Sequence, residues 1–327
     1  MNTRIGIYYE HPKWFEPLFA ALDKRGLEYE KIDAAEHSFD PEAVPDFGLL
    51  FNRMSASAYL RGNTNAIFYT SGFLANIEKT GVRVINGYDA YQVEISKALQ
   101  LSLLASLGLR SPKTRVVNSL KQLSATRDLS FPVVVKPNIG GRGAGIMKFD
   151  SPDELQAGIN DGFVDLGIDG TAIIQEYVLK RGGHINRVET LGGKFLYALK
   201  IYPEGENFNL CPAEVCLIEN QTQAGEMCLF DAPPTGMRIE IFTPSAEIIE
   251  SVERIVRAAK IEVGGVEYLI DDRTGDELFY DINALSNFVA NAETLVGFDP
   301  HEKLVDFLVK ELEKCATDIG CRSSAAG

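Results

Sequence analysis

The sequence has no long hydrophobic run. No apolar stretch in its 327 residues approaches the roughly 20 residues that a membrane-spanning helix requires. The first residues, up to Tyr8, have the pattern of a strand rather than that of a secretory leader peptide. We therefore expect no membrane partner and a cytoplasmic location.

Cysteine is scarce, and its spacing forms no recognisable motif. There are five cysteines, an odd number, and none belongs to a Cys-x-x-Cys pair. This pattern argues against a disulfide framework and favours reduced thiols. Cys211 and Cys216 lie five positions apart in an expected substrate loop, and a metal role for them is the less favoured alternative.

Basic residues are in deficit. The chain has 32 lysine and arginine residues against 46 aspartate and glutamate residues, so its formal net charge is −14. A strongly negative protein repels nucleic acid and acidic carriers at long range. We expect small metabolites as partners and no nucleic acid, and formation of a homodimer is left open.

Two common phosphate-binding signatures are also missing. Residues 138–146 contain four glycines in six positions, but no Gly-Lys-Ser/Thr follows, so they do not form a Walker loop. Residues 147–149 have a strand pattern rather than a helix pattern, which excludes the dinucleotide fingerprint. The segment instead follows an apolar strand with Lys136 near its end. Because glycine lets backbone N–H groups approach an anion closely, we predict a hairpin that covers phosphates. The alternative is a simple tight turn.

The most informative feature that is present is a pair of short strands, residues 264–270 and 278–283. The segment between them is dense in turn-forming residues, which predicts a β-hairpin. A turn centred near Thr274 places Glu267 opposite Asp281, and Asp281 and Asn283 project from the same face. Two carboxylates and an amide oxygen suit Mg²⁺, whose remaining ligands come from substrate phosphates. The competing interpretation is a polar edge on an exposed hairpin.

The remaining sequence predicts an α/β protein of several domains. Residues 1–95 alternate strand and helix, which predicts a small parallel sheet covered by helices. Asn52, Arg53 and Ser55 follow one of its strands, where they either begin a helix or contact a substrate. Strands near residues 114–117, 133–135 and 173–174 and a helix over residues 152–160 form a second unit. Helices over residues 245–260 and 300–315 belong to a third.

In this order, the motifs resemble those of the ATP-grasp superfamily. The order is the strand with Lys136, the glycine loop, Ile174-Gln175-Glu176-Tyr177-Val178, Glu267 and Asp281-x-Asn283. The likeness is strongest to RimK-type glutamate ligases and to glutathione synthetase-like carboxylate–amine ligases, and it covers most of the chain.

The resemblance implies a mixed α/β (α+β) ATP-grasp fold. A small N-terminal parallel domain is expected over residues 1–95. Two α+β subdomains that grip ATP are expected over residues 96–180, the central lid, and residues 181–317, the catalytic half. Residues 318–327 are expected to form a flexible tail.

The resemblance also implies cofactors and site residues. The cofactors are ATP and two Mg²⁺ ions, with Mn²⁺ as an alternative metal. The residues implied to bind the nucleotide are Lys97, Lys136, Gly140, Gly141, Gly143, Gln175, Glu176, Val178 and His184. The residues implied to bind metal are Glu267, Asp281 and Asn283. The residues implied to act in the reaction are Lys200, Arg187 and Asn283, with Asn209 as a further active-site residue.

Four of these positions carry qualifications. The family usually has aspartate and then glutamate as metal ligands, and Glu267 and Asp281 reverse that order, although the summed reach of the side chains is unchanged. The residue that holds the ribose is usually acidic, so His184 is either a ribose contact or a surface histidine. Arg187 either binds a substrate carboxylate or forms a structural ion pair.

The function implied is that of an ATP-dependent carboxylate–amine ligase. ATP phosphorylates a carboxylate, an amine displaces phosphate from the acyl phosphate, and an amide or peptide bond forms with release of ADP and phosphate. A small-molecule kinase of the same architecture and a nucleotide-binding regulatory protein without turnover are the alternatives. The sequence does not identify the carboxylate, the amine or the general base.

Overall fold

Three β-sheets follow one another along the chain in the computed structural model, which describes residues 4–126, 128–203, 238–289 and 292–324, with side chains up to residue 315. The predicted active-site residue Asn209 and the pair Cys211 and Cys216 lie outside these ranges. Within them, no helix is both long and apolar enough to cross a membrane.

The first sheet is parallel, as the alternation of strands and helices predicts. Its part of the chain contains β1 (Ile5–Tyr9), α1 (Glu16–Lys24), β2 (Tyr29–Asp33), β3 (Leu49–Arg53), α2 (Thr64–Lys79), β4 (Arg83–Ile85), α3 (Tyr88–Glu94) and α4 (Lys97–Ser106). The strand order is β2-β1-β3-β4. Because all four strands run in one direction, their carboxyl ends share one edge, where ligands commonly bind in such sheets. A short 3₁₀-helix, Ala56–Arg61, follows β3 at this edge.

The second sheet is antiparallel and contains the glycine loop. Its elements are β5 (Thr114–Val117), α5 (Leu120–Ala125), β6 (Val133–Pro137), β7 (Met147–Phe149), α6 (Pro152–Asn160) and β8 (Ala172–Glu176), and its order is β5-β8-β6-β7. β6 and β7 form the predicted hairpin, in which Val133 pairs with Phe149. α6 begins where predicted, because the Ser151 hydroxyl accepts a hydrogen bond from the Glu154 N–H at 3.2 Å.

The third sheet is antiparallel and has five strands. Its elements are β9 (Ile185–Leu191), β10 (Lys194–Tyr202), β11 (Arg238–Phe242), α7 (Ala246–Ala258), β12 (Val263–Ile270), β13 (Glu277–Asn283), α8 (Ala292–Val296) and α9 (Pro300–Ser324). The order is β11-β10-β9-β12-β13. One face packs on α7 through Val252 and Ile255, and the other shares a core with the first sheet through Leu49 and Leu199. α9 continues past residue 318, where the sequence predicts a tail.

Two buried polar side chains connect the sheets. The Asn86 side-chain amide donates to the carbonyls of Val263 (2.6 Å) and Ala284 (2.7 Å), and its oxygen accepts from the Glu262 N–H (2.8 Å). On α4, the Gln100 amide pairs with both backbone groups of Ile282 in β13. These bonds fix the first sheet and α4 against the two strands that carry the predicted metal ligands.

The three sheets fall within residues 5–85, 114–176 and 185–283, inside the three predicted domains. The exact domain boundaries stay a prediction.

Candidate active site

A cleft opens where the three sheets meet. The carboxyl edge of the first sheet, the β6 and β8 strands of the second sheet and the β12–β13 hairpin of the third sheet form its walls. The predicted site residues that line it are Lys97, Lys136, Gly140, Gly141, Gly143, Gln175, Glu176, Val178, Arg187, Glu267, Asp281 and Asn283. Residues separated by up to 186 positions in the sequence therefore face a common space.

The β12–β13 hairpin has the predicted pairing. Glu267 lies opposite Asp281, and Gly265 lies opposite Asn283, so the two carboxylates share one face of the sheet. The register then shifts by one residue, since Tyr268 pairs with Phe279. Tyr280 is thus the extra residue of a β-bulge, and both Tyr280 and Asp281 line the cleft.

Glu267 is held by hydrogen bonds on both oxygens. Arg187 on β9 donates to Glu267 Oε1 at 2.8 Å and to Glu189 at 2.6 Å. The Tyr280 hydroxyl donates to Glu267 Oε2 at 2.9 Å. Burial raises the pKa of Glu267, and Arg187 opposes that rise. Of the two roles left open for Arg187, the structure contains the ion pair.

Asp281 pairs with the first lysine of α4. Lys97 Nζ lies 2.7 Å from Asp281 Oδ1, and the Asn283 amide lies 3.3 Å from Asp281 Oδ2. Burial alone would raise the pKa of Asp281, but Lys97 and Lys136 hold it below its ordinary value. The carboxylate is therefore ionised at neutral pH, as a ligand for a hard cation must be.

Lys136 on β6 projects toward the hairpin from the opposite wall. Its Nζ donates to Gln175 Oε1 at 2.9 Å and lies 5.4 Å from the centre of the Tyr280 ring. Gln175 in turn donates to the Thr114 hydroxyl at 2.9 Å. Burial, with Lys97 nearby, lowers the pKa of Lys136 to about 8. An anion bound here would stabilise its charged form.

The glycine loop lies against the first sheet. A Cβ on Gly141 would be 3.0 Å from the Ser57 Cβ, whereas a Cβ on Gly140 would meet nothing closer than 3.6 Å. Gly145 has a φ of +72°, and a Cβ there would be 2.8 Å from the Pro137 ring. The close contact at Gly141 places the loop against the 3₁₀-helix Ala56–Arg61, at one wall of the cleft.

Asn138 links the loop to α4, and sequence reasoning assigned it no role. Its side-chain oxygen accepts from the Ala98 N–H at 2.9 Å, and its carbonyl accepts from the Lys97 N–H at 3.2 Å. Its amide donates to Asp169 at 2.7 Å. Asn138 thereby fixes the start of the glycine loop beside the helix that carries Lys97.

Two predicted site residues lie elsewhere in the described structure. Lys200 pairs with Asn186 across β9 and β10, which places it on the opposite sheet face from Arg187, and its Nζ lies 5.3 Å from the Phe242 ring. The expectation that Lys200 reaches the transferred phosphate does not match this placement. His184 packs its ring 4.9 Å from that of Tyr202, outside the cleft lining.

Several further residues line the cleft without having been predicted. Glu94, the last residue of α3, accepts hydrogen bonds from the backbone N–H groups of Ala284 (2.6 Å) and Leu285 (3.2 Å). It therefore fixes the turn after β13. Trp14 and Tyr280 are among the others. No sequence pattern predicted these two residues, because one lies in a loop and the other in the bulge of β13.

The oxygen donors at the hairpin are few. Among the described residues, no group of three or more histidine, cysteine, aspartate or glutamate side chains could hold a metal ion by itself. Glu267, Asp281 and Asn283 offer two carboxylates and one amide oxygen. This set fits Mg²⁺, which usually keeps waters or takes phosphate oxygens as its remaining ligands.

No protein-family model matches the chain. A probable alpha-L-glutamate ligase of Teredinibacter turnerae is 27% identical over 167 residues, which are 50% of this chain and 51% of that protein. Its counterpart from Pseudoalteromonas translucida is 24% identical over 339 residues, covering 99% of this chain and 100% of that protein. The chain thus spans about half the length of the first relative and the whole of the second.

Solved structures give the fold. A RimK domain ATP-grasp protein from Sphaerobacter thermophilus superposes with a TM-score of 0.64 at 16% identity, over 93% of this chain and 98% of that one. The chain has the ATP-grasp fold. The ATP-grasp ligase PsnB, solved with a phosphomimetic variant of its minimal precursor, Mg and ADP, superposes with a TM-score of 0.62 at 17% identity, over 95% and 98% of the two chains. The predicted α/β ATP-grasp fold and the resemblance to RimK-type ligases are confirmed.

Proposed function

We propose that this protein is an ATP-dependent ligase that joins a carboxylate to an amine through an acyl phosphate. The observation that carries the proposal is the convergence of Lys97, Lys136, Glu267 and Asp281 on one cleft beneath the glycine loop. Cations, metal-type oxygen ligands and backbone donors are the parts that phosphoryl transfer requires.

The nucleotide occupies the side of the cleft formed by the second sheet. Lys97 and Lys136 bind its phosphates, and the backbone N–H groups of Gly140, Gly141 and Gly143 cover them. The adenine lies beside Gln175, Glu176 and Val178. Supporting this placement, the side chains of Val134, Val178 and Leu269 give that part of the cleft apolar walls.

Glu267, Asp281 and Asn283 would hold Mg²⁺, which would neutralise charge on the transferred phosphoryl group. Arg187 and Tyr280 are positioning residues, because each donates a hydrogen bond to a different oxygen of Glu267. Their bonds restrict the carboxylate to one orientation. Support for the cofactors comes from PsnB, whose structure was solved with Mg and ADP.

The reaction has two steps. A carboxylate oxygen attacks the γ-phosphorus of ATP, the bond to ADP breaks, and an acyl phosphate forms. The amine then attacks the acyl carbon, the carbon–oxygen bond breaks, and phosphate leaves as the nitrogen loses a proton. Phosphorylation is needed because a carboxylate would otherwise have to expel oxide. Lys97 and Lys136 stabilise the charge of the phosphoryl group during the first step. The relatives are named as glutamate ligases, which supports amide formation here.

The arrangement of sheets supports three functional units. Residues 1–95 contribute the wall against which the glycine loop packs, residues 96–180 contribute the loop and Lys136, and residues 181–317 contribute the oxygen ligands. In this proposal, the second unit closes over ATP.

A hydroxylamine assay tests the function. Each of a panel of carboxylic acids is incubated with the protein, Mg²⁺-ATP and hydroxylamine, and both hydroxamate and nucleotide products are measured. The expected result is a hydroxamate and ADP with one acid or a narrow group of acids. A stable phosphate ester with ADP would identify a kinase, AMP with pyrophosphate would identify adenylation, and nucleotide binding without turnover would identify a regulatory protein. Any of these three results contradicts the proposal.

A further inference from the structure

Arg53 is a buried arginine at the cleft end of β3. Its side chain is 3% exposed, and its guanidinium carbon lies 5.0 Å from the centre of the Phe51 ring and 5.5 Å from that of Phe15. The guanidinium reaches the third sheet, where Nη2 donates to the Ser286 carbonyl and, at 3.1 Å, to Asn287 Oδ1. One end of the side chain thus belongs to the first sheet and the other to the loop after β13.

The charge of Arg53 has no direct partner in the described part of the chain. Nε and Nη1 are buried and make no hydrogen bond, and no described carboxylate forms a salt bridge with the guanidinium. The half-buried Arg61 and the buried Arg187 differ in this respect. Arg61 forms a bidentate pair with the buried Glu10, and Arg187 pairs with Glu189 and Glu267.

A buried arginine without a counter-ion lowers the stability of the fold. Each buried donor without a partner destabilises the fold, and a buried charge without a counter-ion does so more strongly. Burial lowers the pKa of Arg53 to about 9, although Glu94 and Glu189 act on it from a distance in the opposite direction. A bound anion would remove this cost. A carboxylate fits best, since its two oxygens match the fork of nitrogens on the guanidinium.

The position of Arg53 indicates which substrate carries that carboxylate. Its contacts Ser286 and Asn287 line the cleft three and four residues beyond the metal-type ligand Asn283. Arg187 contacts the same serine, with Nη2 at 3.5 Å from the hydroxyl. A carboxylate that takes the γ-phosphoryl group must instead lie beside Lys97 and Asp281, which bond to each other at 2.7 Å. The hydrogen bonds of Arg53 in the described structure go to Ser286 and Asn287 and not to either of these residues, so we treat its subsite as separate from the phosphorylated group.

We propose that Arg53, with Ser286 and Asn287, forms a subsite for a free carboxylate on the amine substrate. The acceptor is then an amino acid or a peptide that keeps its carboxyl terminus. This inference rests on the proposed ligase function. Because the two unpartnered nitrogens are covered, binding requires residues 285–288 to move. Phe288 in this segment has a φ of +59°, a conformation that is strained for a bulky side chain, and its ring is buried in the core shared by the first and third sheets.

The first test needs no variant. The wild-type protein, supplied with the acid found in the hydroxamate screen, is offered the twenty L-amino acids, a set of dipeptides and the corresponding carboxamides. We expect kcat/KM to be at least about tenfold higher for the free acids than for their amides. Equal use of acids and amides would overturn the proposal, as would a panel in which no acceptor with a free carboxylate is used.

The second test replaces the arginine. Arg53→Gln should lower kcat/KM for the amino-acid acceptor about 10- to 100-fold, mainly through KM of the acceptor. Hydroxamate formation should change by no more than about twofold, because hydroxylamine carries no carboxylate. Arg53→Lys, which keeps the charge but not the fork, should recover part of the acceptor affinity. Arg83→Gln on the adjacent strand is the matched control, since Arg83 already pairs with Glu262 and Glu311, and it should leave the preference for acids over amides unchanged.

The outcomes separate this proposal from the proposed function. If the wild-type protein forms no hydroxamate with any acid, the ligase function itself is wrong. If hydroxamate forms but Arg53→Gln and Arg53→Lys reduce it as strongly as they reduce use of the amino acid, Arg53 serves the fold or the phosphorylated substrate, and the carboxylate subsite is wrong.

Discussion

Gly141 offers a direct test of how the glycine loop closes. An alanine at this position would place its Cβ 3.0 Å from the Ser57 Cβ, whereas non-bonded carbon atoms normally approach to about 3.5–4.0 Å. The Ser57 backbone N and Cα lie at 3.7 and 3.8 Å, so the obstacle is not the end of a flexible side chain. In the Gly141→Ala variant, the loop and the 3₁₀-helix must therefore lie about 0.5 Å farther apart than they do in the structure.

Overpacking of this kind costs about 1–3 kcal/mol. If the contact forms only when nucleotide is bound, the whole cost appears as a weaker affinity for ADP, by about 5- to 150-fold. Gly140→Ala is the matched control, because its nearest contact would be an ordinary 3.6 Å and its loss of backbone freedom is comparable. Removing the opposing Cβ with Ser57→Gly should recover affinity in the Gly141→Ala background.

Isothermal titration calorimetry of Mg²⁺-ADP against the four proteins measures these effects. Equal affinities for Gly140→Ala and Gly141→Ala would refute the closed arrangement of the loop. A Gly141→Ala defect that Ser57→Gly does not relieve would refute the specific contact.

Two further predictions concern the charged groups of the cleft. Asp281→Asn removes the charge beside Lys97 with little change in volume, so we expect steady-state turnover to fall at least about a hundredfold. The control Asp276→Asn, at the turn of the same hairpin, should keep near-normal activity. Comparable activity in the two variants would contradict the metal site. The lowered pKa of Lys136 means that its charge is lost as pH rises through about 8 rather than near 10.5, so affinity for ADP should fall above pH 8 by up to about tenfold per pH unit. Calorimetry between pH 7 and 9.5 should show this fall in the wild-type protein and a flat profile in Lys136→Arg.

Local geometry made part of the site predictable. The pairing of Glu267 with Asp281 follows from the length of one turn and from the alternation of side chains along a strand. The strand–glycine–strand pattern around residues 138–146 likewise depends only on neighbouring residues. Both hairpins are determined by short stretches of sequence, and the structure has them where predicted.

The bulge at Tyr280 and the face of Lys200 were not predictable in the same way. A bulge depends on which register gives the better packing across three strands, and no single strand contains that information. Alternation along β10 separates Lys200 from Leu199, but only the packing of the sheet determines which face borders the cleft. The resemblance to the ATP-grasp motif predicted Lys200 in the site, whereas the packing places it on the sheet face opposite to Arg187.

Long-range polar contacts form the rest of the site. Asn86 bonds to residues about 177 and 198 positions away, and Arg53 contacts a residue 233 positions away. No periodicity signals these partners, since each side chain follows or ends a strand and could equally face solvent. The choice between a helix start and a substrate contact for Asn52, Arg53 and Ser55 depends on the loop at Ser286, which lies far away in the sequence.

The origin of the oxygen in the released phosphate tests the central claim most directly. The acid that forms a hydroxamate is labelled with ¹⁸O in both carboxylate oxygens and supplied with Mg²⁺-ATP and its amine. When an acyl phosphate forms, one carboxylate oxygen bonds to phosphorus, and it leaves with the phosphate when the amine attacks. Mass spectrometry should therefore find one ¹⁸O in each inorganic phosphate and one in each amide. Unlabelled phosphate, with both labels retained in the acid or with label found in AMP, would contradict the account.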